Sequence, residues 1–287
     1  MLNYALPLGA AVLYALAALV GKTAFSRGAT VWQVAALVNT TLAALVMPLA
    51  FLGQGPWTAA MVGPALLCAG LVLAGNITNF LALHRGDVSI VTPVMGTKVV
   101  IVALLGWSLF GQAVTPMLWA AAALCAMGIA LLQGSTPKGG SPWAAVGFGL
   151  ASATAFAGVD ASVAHFTQHF DPYRFLRLLA LFLMGLSLLT WVLLDRDKPW
   201  PRSWRAYGAA GLMAFQALLM TIAVGFGGNP VVVNIVYGTR GLWAIVLVLV
   251  LGKILDYREA GRRGITVAVR LLGALCLFGA VVLSLKG

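Results

Sequence analysis

The sequence predicts an all-α, polytopic membrane protein with ten transmembrane helices in two inverted five-helix repeats. Three observations predict this class: an apolar composition, apolar runs about 20 residues long, and a motif that recurs in both halves of the chain. Of the 287 residues, 61% are hydrophobic and only 9% are charged, against about 25% charged residues in an ordinary soluble domain. The apolar runs are continuous rather than alternating, which argues against the strands of a transmembrane barrel.

Breaks of Gly, Pro and charge divide the chain into ten runs that are each long enough to span a bilayer as a helix. The predicted spans one to ten are residues 3–22, 31–52, 58–83, 88–110, 115–133, 142–165, 172–194, 204–226, 229–251 and 264–285. The first run lacks the basic n-region of a cleaved signal peptide, so we interpret it as the first span. Most connections hold only a few residues, and no soluble domain fits between the spans.

The net charge of +11 lies mostly in the short connections, which is typical of the positive-inside bias and of contact with anionic lipid headgroups. We therefore expect no nucleic-acid partner. The expected partners are a small-molecule substrate and the lipid bilayer, and a homodimer stays open. The three cysteines lie apart within apolar runs, and no Cys/His cluster occurs, so we expect no metal and no cofactor.

A thirteen-residue segment recurs between the two halves of the chain. The segment GDVSIVTPVMGTK, residues 86–98, aligns without a gap with GNPVVVNIVYGTR, residues 228–240, at an offset of 142 residues. Both copies end in Gly-Thr followed by a cation, which is Lys98 in span four and Arg240 in span nine. A motif at the same place in two spans indicates an internal repeat.

The repeat defines the predicted domain organisation. Residues 1–134 form the first five-helix repeat, residues 142–287 form the second, and residues 135–141 link them. Because five is odd, the second repeat enters the membrane in the opposite sense. Inverted repeats of this kind recur in secondary transporters, whose substrate sites lie near the bilayer midplane between the repeats.

Lys98 and Arg240 lie near the centres of their spans, where each charge costs about 2.5–3.5 kcal/mol to insert. One interpretation is that both line a water-filled cavity and bind an anion, Arg240 with a planar fork and Lys98 as a point charge. The alternative is structural: Lys98 pairs with Asp87 or Asp160, and Arg240 bonds backbone carbonyls. Asp87 begins span four and Asp160 lies near the end of span six, and sequence spacing places neither to neutralise a lysine at mid-depth.

Other polar and aromatic residues of these spans are expected to contact the substrate. They are Asn76 and Asn79 in span three, Thr92 and Thr97 in span four, and Asn234, Tyr237, Thr239 and Trp243 in span nine. Polar groups at matched positions of the repeat favour a lined pathway, and interhelical hydrogen bonding is the alternative for each. Asp160, Asp87 and Lys22 are charged groups near span ends, and we assign them to coupling or gating.

The stretch over residues 80–132, FLALHRGDVSIVTPVMGTKVVIVALLGWSLFGQ and onward, resembles the EamA-type members of the drug/metabolite transporter superfamily. The segment GGNPVVVNIVYGTRGL in the second half is similar but looser. The resemblance implies a ten-helix 5+5 fold and a transport activity. In the related sugar-phosphate and nucleotide-sugar carriers, cations on the fourth and ninth spans hold anionic substrates, and Lys98 and Arg240 occupy those spans. The chain departs from the family at Gln112, where Glu is frequent, and at Pro230, which lies at the start of span nine rather than deep within it.

Together, the residues and the resemblance predict a secondary transporter, not an enzyme, in the cell inner membrane. Its substrate is expected to be a small organic metabolite, anionic or zwitterionic, moved by alternating access. The main alternative is a proton-coupled exporter of amino acids or hydrophobic compounds in which the cations are structural. An intramembrane enzyme and an assembly scaffold are the other classes, although no catalytic constellation and no nucleotide-binding motif occurs in the sequence.

The orientation of the termini has two conflicting predictions. The odd-numbered connections hold twelve Lys and Arg residues, whereas the other side holds Arg174, Arg177 and Lys286. The positive-inside rule therefore predicts cytoplasmic odd-numbered connections and external termini. The family resemblance implies cytoplasmic termini instead.

Overall fold

A computed structural model describes residues 2–25, 27–51, 55–85, 91, 94–133, 142–192, 194, 199–200, 204–227, 229–251 and 267–286. These residues contain no strand. Their helices are α1 (Leu2–Phe25), α2 (Val31–Val46), α3 (Ala59–Arg85), α4 (Lys98–Phe110), α5 (Pro116–Gln133), α6 (Pro142–His169), α7 (Pro172–Val192), α8 (Trp204–Gly227), α9 (Pro230–Gly238), α10 (Arg240–Leu251) and α11 (Val267–Ser284). A short 3₁₀ helix, Met47–Phe51, follows α2.

The described helices agree with a multi-pass membrane protein. Five segments are long and apolar enough to cross a membrane, namely Tyr4–Gly21, Ala59–Arg85, Trp143–His169, Pro172–Val192 and Trp204–Gly227. Shorter apolar helices cover Val31–Val46, Val94–Phe110, Pro116–Leu132 and Leu271–Ser284. Large apolar side chains point outward from these helices, among them Leu109, Val192 and Phe278. The number of ten spans and the inversion of the halves stay predictions.

The predicted ninth span is interrupted at its centre, which the sequence did not predict. Helix α9 ends at Gly238, Thr239 forms a turn, and α10 begins at Arg240. The Thr239 hydroxyl donates to the carbonyl of Val236 at 2.7 Å. Such a bond to the preceding turn competes with the regular helix and bends it.

The matched position of the first half has the same local structure. Thr97 forms a turn directly before α4, and its hydroxyl donates to the carbonyl of Val94 at 2.6 Å. Residues 94 and 97 lie 142 positions before Val236 and Thr239, the offset of the sequence repeat. Lys98 and Arg240 therefore occupy equivalent places, each as the first residue of a helix that follows a threonine turn.

Helices of the two halves pack extensively against each other. Helix α1 lies along α8, α3 along α6, α2 along α7, and α5 along α11. Helix α4 contacts α6, and α9 and α10 contact α1. The largest apolar cluster joins α1, α2, α3, α6, α7 and α8, and a second joins mainly α4, α5, α9 and α11. A central site built by these helices thus draws on both halves.

Helices α5 and α11 approach each other most closely at two glycines. A Cβ added at Gly128 would lie 2.9 Å from the carbonyl oxygen of Gly273, and one at Gly273 would lie 3.0 Å from that of Gly128. Small residues that let two backbones approach are the usual basis of helix packing in membranes. By contrast, a Cβ at Gly70 in α3 would meet no atom within 4 Å.

We expect Gly128→Ala to destabilise the protein by about 1–3 kcal/mol, since the new methyl group meets rigid backbone and forces the helices apart. Thermal unfolding in detergent, followed by tryptophan fluorescence, measures the effect. Gly70→Ala is the matched control, and it should leave the melting temperature unchanged or raise it, because Ala favours the helix. Equal melting temperatures for both variants would contradict the close approach.

Candidate functional site

A cavity of about 80 Å³ lies at the centre of the described helices, enough for several waters. Its polar and charged lining comes from Tyr14, Asn76, Asn79, Lys98, Asp160, Gln216, Thr221, Tyr237 and Arg240. Its apolar lining comes from Leu42, Val72, Met95, Phe156, Val159, Met213, Ala217 and Met220. The cavity thus combines an apolar wall with a few convergent polar groups, which is the usual composition of a small-molecule site.

Lys98 forms a buried ion pair with Asp160. The Lys98 Nζ lies 2.7 Å from Asp160 Oδ2, and both residues are only 7% exposed. The side-chain amide of Asn234 donates to the same carboxylate oxygen at 2.6 Å. The expectation that neither nearby carboxylate could neutralise Lys98 is therefore wrong for Asp160. Helix α6 continues to His169, so Asp160 lies well inside the helix and not near its end.

Arg240 is equally buried, at 4% exposure, but has a different environment. Its Nη2 donates to the backbone carbonyl of Met95 at 3.2 Å. Its guanidinium lies over the rings of Tyr14 and Tyr237, 4.9 and 4.5 Å from their centroids. Within the described residues, no carboxylate pairs with Arg240, and its buried Nε has no hydrogen-bond partner. Aromatic faces stabilise the cation but do not neutralise it.

The two cations have related aromatic neighbours and unrelated counterions. Lys98 lies 5.8 Å from the ring centroid of Phe156, and Arg240 lies over Tyr14, which is 142 residues before Phe156. The residue 142 positions before Asp160 is Ala18. The first half therefore lacks the carboxylate that would match Asp160, which explains why Lys98 has an acidic partner and Arg240 does not.

The cavity consequently carries one uncompensated positive charge. Lys98 and Arg240 contribute two positive charges, Asp160 contributes one negative charge, and the described lining holds no other ionised side chain at neutral pH. A buried charge without a partner is costly at mid-depth in a membrane, and such residues mark substrate or ion pathways. A monoanion bound beside Arg240 would give this cation a counterion.

Amides and hydroxyls complete the polar wall. Asn76 donates to Asn39 at 2.7 Å, and the Tyr237 hydroxyl donates to Gln216 at 2.9 Å. The buried carbonyl oxygens of the Asn79 and Asn234 side chains have no hydrogen-bond partner among the described residues. Buried polar atoms without partners are rare in proteins, so these two acceptors are candidates for contact with a ligand or a proton.

The structure brings together six of the predicted residues at the cavity: Lys98, Arg240, Asn76, Asn79, Tyr237 and Asp160. Asn234 does not line the cavity, but its side-chain amide donates a hydrogen bond to Asp160. Thr97 and Thr239 were expected to contact the substrate, but their hydroxyls bond backbone carbonyls and neither residue lines the cavity.

Trp243 packs against the largest apolar cluster and does not line the cavity. Asp87, Thr92 and the side chain of Lys22 lie outside the described part of the chain.

Sequence reasoning considered Tyr14 for an aromatic wall of the cavity but missed three other residues of the site, Phe156, Gln216 and Asn39. Tyr14 and Phe156 are detectable in principle, since they lie 142 positions apart and so repeat the offset of the cation motif. Gln216 lies three residues from Met213 and four from Met220 on α8, the spacing of one helix face. Asn39 carries no comparable signal, because its role depends on the distant Asn76.

Comparisons with known proteins agree on the class of the chain. Residues 1–133 match the model of the EamA-like transporter family, which confirms the resemblance noted in the sequence. A solved structure titled only "Crystal structure of protein" covers 98% of this chain and 95% of its own, with a TM-score of 0.68 at 16% sequence identity. That likeness supports the fold alone. No curated protein matches the chain.

We expect Lys98→Met and Asp160→Leu each to lower the free energy of unfolding by about 3–5 kcal/mol, because each leaves a buried charge without its partner. The double variant should recover most of the loss, since an apolar pair replaces the ion pair. Unfolding of all four proteins in a mixed detergent, followed by circular dichroism, gives the double-mutant cycle. Additive losses would contradict the direct pairing.

Proposed function

We propose that this chain, whose first 133 residues match the model of the EamA-like transporter family, is a secondary transporter of a small organic monoanion in the cell inner membrane. The substrate binds in the central cavity, with its anionic group on Arg240 and Lys98. Its remaining atoms contact the apolar wall. Transport proceeds by alternating access of the two five-helix halves to the two sides of the membrane.

The unbalanced charge of the cavity carries this proposal. A site with two cations and one carboxylate attracts a monoanion more strongly than a neutral molecule or a cation. Arg240 presents a planar guanidinium whose Nε has no partner in the described residues, and this fork suits a carboxylate.

The pattern of helix contacts supports the alternating-access part of the proposal. If α1 exchanges with α6 and α3 with α8, the contact between α1 and α8 becomes the contact between α6 and α3, and both occur. In the same way, the contact between α4 and α6 corresponds to that of α9 and α10 with α1. A bundle whose contacts survive this exchange is the arrangement expected of inverted repeats that rock around a fixed site.

A proton-coupled exporter of neutral, zwitterionic or hydrophobic compounds is the second candidate. Lys98 already has an internal counterion in Asp160, and Arg240 already bonds the Met95 carbonyl. Both contacts are expected if Lys98 and Arg240 stabilise the structure and do not bind the substrate. The methionines Met95, Met213 and Met220 form an adaptable wall, and such surfaces accommodate varied apolar ligands. In this candidate, charge on the substrate would not determine binding.

A panel of ligands that share one ring separates the two candidates. Benzoate, benzamide, benzylamine and phenylalanine differ in charge but not in the aromatic body, and lactate with lactamide forms a second pair. Isothermal titration of the purified protein measures the affinity for each ligand, and counterflow of labelled lactate in proteoliposomes measures transport. We expect the monoanions to bind more tightly than their amides and than benzylamine. Equal affinities across the panel would favour the exporter.

Arg240→Gln should weaken the binding of benzoate by about 10- to 100-fold, the effect of losing a charge-assisted hydrogen bond of about 1.5–3 kcal/mol. Arg27→Gln is the matched control, because the same substitution falls on an exposed turn residue, and it should bind benzoate like the parent protein. Tight binding to Arg240→Gln would refute the assignment of this residue as the anion anchor.

A further inference from the structure

We propose that the Lys98–Asp160 pair couples transport to protons: the substrate anion replaces the Asp160 carboxylate at Lys98, and Asp160 takes up one proton. The carrier would then move one proton together with each monoanion. This inference rests on the proposed function, since it requires an anion in the cavity. It adds the coupling ion, the stoichiometry and the residue that accepts the proton.

The contacts of Asp160 make it replaceable at Lys98. Lys98 and Asn234 both donate to one oxygen of the carboxylate, Oδ2, at 2.7 and 2.6 Å. An incoming carboxylate offers Lys98 the same kind of acceptor, and Lys98 lines the cavity beside Arg240. The substrate can therefore bridge the two cations, whereas Asp160 contacts only one of them. When the site is empty, the Asp160 carboxylate occupies the place at Lys98 that the substrate anion takes on binding.

A displaced Asp160 loses the cation that stabilises its charge. Once the substrate anion holds Lys98 and Arg240, the buried Asp160 carboxylate has no cation of its own, and protonation removes its charge. In the exchange, the ion pair between Lys98 and Asp160 breaks, a pair between Lys98 and the substrate forms, and one proton from water adds to the Asp160 carboxylate. Before and after, the site holds one net positive charge, because the substrate adds one negative charge and the proton adds one positive charge.

Asn234 is placed to stabilise the protonated form. Its amide nitrogen donates to Asp160, while its own carbonyl oxygen is buried and has no partner in the described residues. An ionised carboxylate only accepts hydrogen bonds, but a protonated one also donates. The hydroxyl of protonated Asp160 would find its acceptor in the Asn234 carbonyl oxygen, so that acid and amide form two complementary hydrogen bonds. The orphaned acceptor thus has a partner in the loaded state.

The groups that face Asp160 identify it as the proton acceptor. The cations and phenol hydroxyls that line the cavity with Asp160 come from four helices: Lys98 from α4, Tyr237 from α9, Arg240 from α10 and Tyr14 from α1. From α3 and α8 the described cavity lining draws amides, a threonine and apolar groups, and from α7 it draws no residue. His165, on the same helix as Asp160, stacks on Phe110 and does not line the cavity. Asp160 is therefore the one carboxylate of the described lining.

The absence of a matching acid in the first half makes the two cations unequal. Arg240 has Ala18 where a symmetric site would place a second aspartate. It stays uncompensated in the empty carrier and attracts the anion first. Lys98 becomes available only when Asp160 is protonated. Binding in this order links anion entry to proton entry.

Proton uptake on binding tests the proposal directly. Titration calorimetry with benzoate and with lactate, at one pH in two buffers of different ionisation enthalpy, counts the protons taken up per bound anion. We expect one proton for the parent protein, and an affinity for both anions that falls as the pH rises. Asp160→Asn should bind without proton uptake and with an affinity independent of pH. Asp171→Asn, at an exposed helix cap, is the matched control and should retain one proton.

Asn234→Leu gives a second test that leaves the carboxylate in place. We expect this variant to bind benzoate about tenfold more weakly at neutral pH, with one proton still taken up, because protonated Asp160 loses its acceptor. Anion binding without proton uptake in the parent protein, or uptake that persists in Asp160→Asn, would overturn the coupling and leave the proposed function intact. Failure of the parent protein to bind any monoanion of the panel would overturn both.

Discussion

The cost of holding charge inside a membrane determines the organisation of this protein. Lys98 and Arg240 lie almost fully buried among apolar helices, where each charge needs a partner, a polar cavity or an aromatic face. Lys98 pairs with the Asp160 carboxylate, which also accepts a hydrogen bond from the Asn234 amide. Arg240 lies over two tyrosine rings and donates to a backbone carbonyl. The remaining single positive charge is the observation on which the proposed anion site rests.

This imbalance links fold to function. Lys98 and Arg240 occupy matched positions of the sequence repeat, and each follows a threonine turn. The chemistry is not symmetric, because Asp160 has only Ala18 at its matched position. In the alternating access that we propose, two inverted halves would give two states of similar energy. In the proposed mechanism, Arg240 is the permanent anchor for the anion, and Lys98 exchanges Asp160 for it.

Much of the architecture was accessible from the sequence. Apolar runs and their breaks predicted a helical, multi-pass membrane protein, and the gapless Gly-Thr-cation repeat located the two residues on which the cavity depends. The break of the ninth span at Thr239 was missed, because a threonine bond to the preceding turn adds no signal to an apolar run. The repeat pairs Thr239 with Thr97, and the structure has the same turn at both residues.

The contacts that decide the chemistry were not accessible. Lys98 and Asp160 are 62 positions apart on different helices, and only packing of α4 against α6 brings them together. A predicted end of span six at residue 165 made Asp160 look like a residue near the membrane surface, whereas α6 runs on to His169. Which buried amide oxygens lack a partner likewise depends on the packed bundle and not on any spacing in the sequence.

The most direct test of the account is an experimental structure of the protein with 4-bromobenzoate bound, in which the bromine locates the ring. The account predicts the carboxylate within about 3 Å of both the Arg240 guanidinium and Lys98 Nζ, with Asp160 released from Lys98 and bonded to both polar atoms of the Asn234 amide. A ligand bound away from Arg240, with the Lys98–Asp160 pair intact, would contradict it.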